Sequence, residues 1–263
     1  IGRSGSTLVD RLLGQVPGVC AIGELVYTWQ RGIEEGNRCG CGEPFQQCPF
    51  WAEVLTAAFG GFQQVDGAHV EHLRAAVDRA RFIPLLLAPS LRPAFRGKLD
   101  EYVTYSTRVY DAVRTVSGCE VIVDSSKAPS FAFCLRSSRR VELRVVHVVR
   151  DSRAVAYSWT RKVSRAEATG PRYMPTLRPA RTAGQWNYHN AALQMLEATG
   201  TPTLRVRYED LVSRPYEKLA EIAEFTGVAS GPEQLSFVGA DENGSWADLR
   251  VSHIASGNPM RFK

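Results

Sequence analysis

Apolar positions run along this chain in two distinct periods. Three short runs, 120–123, 143–149 and 203–206, are rich in β-branched residues and largely continuous rather than alternating, the pattern of strands buried on both faces of a parallel sheet. Around them the period lengthens to that of an amphipathic helix. Residues 6–14 place Leu8, Leu12 and Leu13 on one side; 99–116 space Tyr102, Val103, Val109, Val113 and Val116 along a face; 183–196 do the same with Trp186, Asn190, Leu193 and Leu196. A further helix is expected to open at Pro215, carry Leu219, Ile222, Ala223 and Phe225, and stop at Gly227. Strands alternating with helices predict an α/β fold with a central parallel sheet flanked by helices, whose ligands bind at the carboxyl ends of the strands.

Composition narrows the class. With 263 residues, 44% of them hydrophobic, the chain can bury one large core, so a single domain over 1–263 is expected. The densest apolar stretch, 83–88, is broken by Pro84 and closed by Pro89, far short of the roughly 18 apolar residues of a spanning helix. The net charge of +5 comes from 32 basic against 27 acidic residues. Basic and acidic residues are interspersed, and no zinc finger, basic zipper or aromatic RNA-binding signature is present, so nucleic acid is not the expected partner. The chain opens on Ile1, which is no initiator, and shows no signal peptide; sequence upstream of it is expected.

Four loops have the chemistry to hold an anion. Gly2-Arg3-Ser4-Gly5-Ser6-Thr7 runs straight into a helix, which aims backbone N–H groups and the positive dipole end at a phosphate or sulfate. It is P-loop-like with one change: where a Walker loop has Lys before the Ser/Thr, this chain has Ser6, and its cation is Arg3 at the loop entrance. A helix merely capped by serine is the plainer alternative. Val149-Arg150-Asp151-Ser152 leaves a strand and enters a helix carrying Ser158, so that Arg150 and Ser158 could converge on one dianion; an Arg150–Asp151 surface pair is the rival reading. Asp124-Ser125-Ser126-Lys127 follows another strand and points an ammonium toward the first loop. The tail Gly257-Asn258-Pro259-Met260-Arg261 offers Asn258 and Arg261 as phosphate donors, or is a frayed end.

Taken together these loops resemble the PAPS-dependent sulfotransferases, which use 3′-phosphoadenosine 5′-phosphosulfate, and the resemblance spans nearly the whole chain. Arg3-Ser4-Gly5-Ser6-Thr7 looks like the family's 5′-phosphosulfate loop, and Arg150 with Ser158 like its 3′-phosphate pair. Pro17-Gly18-Val19-Cys20-Ala21-Ile22-Gly23-Glu24 is similar to a segment of the tyrosylprotein sulfotransferases and their bacterial relatives, which implies Glu24 as catalytic base, Lys127 on the transferred sulfuryl group and Tyr208 near the nucleotide. The K-x-H element of the cytosolic small-molecule enzymes is absent, since Lys127 is followed by Ala128-Pro129. The R-K-G-x-x-G loop is absent too, its place taken by the segment with Asn258 and Arg261.

The resemblance implies a three-layer P-loop-like domain whose N-terminal strand is reduced to Ile1, with 25–118 forming an acceptor-side insertion and helices. It further implies PAPS as co-substrate, PAP as product and no metal for the chemistry. The acceptor is a hydroxyl of a small-molecule, sugar, lipid or carrier-bound substrate. A P-loop kinase or NTPase-like nucleotide-binding protein and a tyrosylprotein sulfotransferase are the alternatives. A cytoplasmic location is expected, or a Golgi lumenal one should an anchor precede Ile1.

Some residues stay open. Cys39, Cys41 and Cys48 cluster in sequence; four-ligand zinc would need Cys20 as well, a disulfide to Cys48 is a second reading, and free thiols are expected. Trp29, Phe45, Phe50 and Trp51 nearby form either an acceptor wall or a satellite core. His253 is a reserve base, and His147, between valines, is expected in the core.

Overall fold

The structure is a computed structural model, and it describes residues 1–165, 168, 172–241 and 244–255. In chain order the elements are α1 (Ser6–Leu13), β1 (Val19–Gly23), α2 (Pro49–Phe59), α3 (Gly67–Val77), α4 (Ile83–Leu87), α5 (Pro93–Ser117), β2 (Val121–Asp124), α6 (Pro129–Arg136), β3 (Val145–Val149), α7 (Ser152–Thr160), α8 (Pro179–Ala198), β4 (Thr203–Arg207), α9 (Tyr208–Ser213), α10 (Pro215–Thr226), β5 (Val238–Asp241) and β6 (Gly244–Ala247). Proline opens α2, α5, α6, α8 and α10, where its missing N–H costs nothing. Glycine in the left-handed conformation closes α2, α5 and α10. Residues Thr28–Glu34 form a π-helical turn just after β1, with Glu35 N–H donating to Gln30 O at 2.9 Å.

The fold is α/β, with parallel strands as the continuous apolar runs predict, but the sheet is divided. β1 pairs with β2 and β3 with β4, both parallel, while β5 and β6 form a small antiparallel hairpin. Each strand still serves two layers. Val121 and Val123 pack into an apolar cluster with α1 and α10, whereas Ile122 between them joins the larger cluster built by α2, α3, α5 and α6. Val146 and Val148 face the first cluster and Val145 the second. Trp29, Phe45 and Trp51 are fully buried in the larger cluster with Phe50 against it, so the aromatics after Glu24 are core rather than a pocket wall. Between β2 and β3 lies a cavity of about 680 Å³, lined by the facing strands and by residues of α1, α5, α6 and α8.

Candidate active site

The first loop is shaped by two left-handed residues. Arg3 has φ 72°, the only non-glycine positive φ among the described residues, and Gly5, the residue ahead of α1, has φ 98°. Left-handed residues at a helix N-terminus are the backbone conformation found in anion nests. No side chain caps α1, so the capped-helix alternative is not what forms: Ser4 Oγ donates to Ile1 O at 3.0 Å instead. Ser6 Oγ is buried with no hydrogen-bond partner. Arg3 is half-buried, reaches Met174 Sδ at 3.1 Å and lies 5.4 Å from the Trp159 ring, and burial lowers its pKa.

Two aromatic residues fix where this loop sits. Trp159 Nε1 donates to Gly2 O at 3.0 Å, and a Cβ on Gly2 would lie between Trp159 Cζ2, at 3.0 Å, and Lys127 Cδ, at 3.8 Å. Tyr208, the first residue of α9 at the end of β4, lies flat against Gly5 so closely that a Cβ there would come 2.2 Å from its Cδ2. Arg150, at the end of β3, covers the other part of that ring at 4.3 Å and donates to Arg3 O at 3.1 Å. Its own carbonyl accepts from Trp186 Nε1 at 3.0 Å. Arg150 is therefore turned inward and makes no pair with its neighbour. Asp151 instead caps α7 through the amides of Arg153 and Ala154 and pairs with the Arg153 side chain, which lowers its pKa to about 2. Ser158 lies half-buried on α7.

Glu24 and Lys127 meet at 2.5 Å, one leaving β1 and the other following β2, with side chains 9% and 18% exposed. The carboxylate and ammonium thus share a mostly dry place beside the loop. Asp124 holds the two strand ends together. It accepts from Leu25 N–H, Ser126 N–H and the Tyr110 hydroxyl, and Ser126 Oγ accepts from Val26 N–H. Burial raises the Asp124 pKa, and its partners act against that rise. Asp124 thus clamps the ends of β1 and β2. Thr7 is buried in α1. Asn258 and Arg261 lie outside the described residues.

The other candidates separate. His147 is buried in β3 with Nε2 on Asn190 at 2.8 Å, a core histidine as expected. His253 is far from a base's role: its Nδ1 faces Cys48 and Cys39 and its ring stacks on Phe50. Sequence reasoning missed Trp159, Met174, Trp186 and Asp124 as supports; only contacts across the fold reveal them.

The ends of β1, β2 and β3 and the loop ahead of α1 bring Glu24, Lys127, Arg150 and Arg3 into one region of an α/β fold. The chain matches the family model described as "Sulfotransferase family" over residues 1–232, and it belongs to that family of enzymes. Among solved structures it is similar to one titled "Sulfotransferase Domain from the Curacin Biosynthetic Pathway", at 17% identity and a TM-score of 0.49, covering 89% of this chain and 74% of that one. No curated protein matches. None of the helices among the described residues is long and apolar enough to cross a membrane.

Proposed function

We propose that this sulfotransferase moves the sulfuryl group of PAPS to an acceptor hydroxyl, with Glu24 as base. The observation that carries this reading is the Glu24–Lys127 pair beside the Arg3–Gly5 loop. The site suits a dianionic donor: Ser6 Oγ is buried without a partner, the loop opens the N-terminus of α1, and Arg3, Lys127 and Arg150 supply charge. PAPS supplies an activated sulfuryl group whose bond to the 5′-phosphate oxygen breaks as the acceptor oxygen bonds to sulfur.

The residues share the remaining work. Glu24 takes the acceptor's proton. Lys127, already held at the carboxylate, and Arg3 neutralise charge on the transferred group and the leaving phosphate, and the amides of Gly5, Ser6 and Thr7 with Ser4 hold the 5′-phosphate. Arg150, Ser158 and Tyr208 take the 3′-phosphate end, with Asn258 and Arg261 contributing from the tail. No metal is required for this transfer. The acceptor is a small-molecule or carrier-bound hydroxyl.

Calorimetry with PAP and with ATP tests the donor. Tight PAP binding with negligible ATP binding is expected, and the reverse order would overturn the proposal in favour of a kinase-like nucleotide site. Glu24→Gln is expected to slow sulfuryl transfer from PAPS by roughly 100-fold or more while PAP affinity stays nearly unchanged. Full activity in that variant would remove Glu24 as the base.

A further inference from the structure

The cysteine cluster acquires its fourth member from a place the sequence could not indicate. Cys39, Cys41 and Cys48 lie in the segment after Glu24, and His253, more than two hundred residues later, reaches into them. The three Sγ atoms and a ring nitrogen of His253 all lie within 4.8 Å of one another. Cys41 and Cys48 Sγ are 3.7 Å apart, and His253 Nδ1 is 3.3 Å from Cys48 Sγ and 3.9 Å from Cys39 Sγ. Bond lengths of about 2.3 Å for Zn–S and 2.0–2.1 Å for Zn–N put the corners of a tetrahedral site roughly 3.5–3.8 Å apart. The three separations of 3.3–3.9 Å bracket those corners.

We infer that Cys39, Cys41, Cys48 and His253 form a structural Zn²⁺ site. The chemistry of the donor set selects it, since three thiolates and an imidazole in a four-cornered arrangement suit zinc rather than a hard cation. All six cysteines are free thiols, so no disulfide competes for these sulfurs. The surroundings are built to orient the ligands. The Cys41 amide points at Cys39 Sγ and the Trp51 amide, in the first turn of α2, at Cys48 Sγ. His253 is held by Phe50, stacked at 5.1 Å, and by Trp51 Nε1, which donates to its carbonyl at 2.8 Å. Gly40 permits the close approach: its N–H donates to Ile254 O at 3.0 Å, and a Cβ there would stand 2.5 Å from Ser252 O. Cys39 and Cys48 are fully buried. Cys20, the fourth ligand that sequence proximity suggested, sits instead on β1, where Cys119 and Ser117 are its neighbours.

The site shares no residue with the Glu24–Lys127 pair, is closed by four protein ligands, and stands whether or not PAPS is the donor. It staples the segment 252–255 to the region that follows the base.

The test is metal content of the full chain, purified without chelators or metal-affinity steps. About one zinc per chain is expected, lost in Cys48→Ser and His253→Ala, kept in His253→Cys and in the outlying Cys20→Ser and Cys134→Ser. Should the ligand variants fail to fold, the wild-type chain refolded with Co²⁺ decides: intense d–d bands of a tetrahedral thiolate site with sulfur-to-cobalt charge transfer are expected. The inference is overturned by a wild-type chain without stoichiometric zinc that also gives no such cobalt spectrum, by a Cys41–Cys48 disulfide in the native protein, or by zinc that survives His253→Ala and leaves with Cys20→Ser.

Discussion

A methyl group at position 5 would meet Tyr208 Cδ2 at 2.2 Å and would have to be carried at φ 98°, where L-residues are strained. The same contact sets how Tyr208 presents its face to Arg150. Gly5→Ala is therefore expected to weaken PAP binding at least tenfold in calorimetry and to lower stability by about 1–3 kcal/mol in urea titrations; a variant that binds PAP as wild type would show that the loop tolerates a shift of Tyr208. Asp10 gives a different single-residue signature. Burial in α1, where neither carboxylate oxygen finds a hydrogen-bond partner, raises its carboxyl to about 7 against attraction from Lys127. An acid whose folded pKa is raised favours the folded state while protonated. As pH rises from about 4 the unfolded chain ionises first, so this contribution is present at acid pH and fades until the folded form ionises near 7. The melting temperature of Asp10→Asn relative to wild type should accordingly climb between about pH 4 and 7 and level off above. A difference independent of pH would place the Asp10 proton elsewhere.

Among the elements, the junction of β1 with β2 matters most, because it carries both members of the Glu24–Lys127 pair. Asp124 joins it, with Tyr110 of α5 donating at 2.7 Å to its partly buried carboxylate. Tyr110→Phe leaves that oxygen without its hydroxyl donor and is expected to cost about 1–3 kcal/mol, with the denaturant slope unchanged. If stability is unaltered, water reaches Asp124 and the clamp is looser than described. Strands β2, β3 and β4 were legible because their apolar runs are continuous. β1 was not: Val-Cys-Ala-Ile-Gly has only two β-branched residues, and it drew notice only as part of a motif. The Arg150 loop could be read as an anion site but not its inward turn, which depends on Trp186 and Tyr208 arriving from other elements. Likewise three zinc ligands stand within ten residues, while the fourth depends on where the chain returns.

For the whole molecule, the division of the sheet has a measurable side. Among the described residues β2 is paired only to β1 and β3 only to β4, and the cavity of about 680 Å³ lies between them. In the 263-residue chain, amides of β2 and β3 directed at that gap should exchange hydrogen faster than those of the buried helix α5, as read by mass spectrometry; equal protection would mean that the gap closes in solution. The +5 charge, too broad to name a partner, resolves at this scale into separate cations: Lys127 and Arg150 follow β2 and β3, Arg3 lies in the loop ahead of α1, and others such as Arg96, Arg140 and Lys218 pair with neighbouring acids. The return of residues 252–255 also has a consequence in time. Ala255 N–H donates to Ile22 O at 2.9 Å, two residues before Glu24, and Trp51 binds the carbonyl of a residue 202 positions further on. A ribosome makes β1 and the three cysteines some two hundred residues before the strap that covers them. The region around Glu24 therefore waits with an open seam while the intervening helices are made, and a chain released before the strap, however well those helices have formed, lacks the piece that closes it.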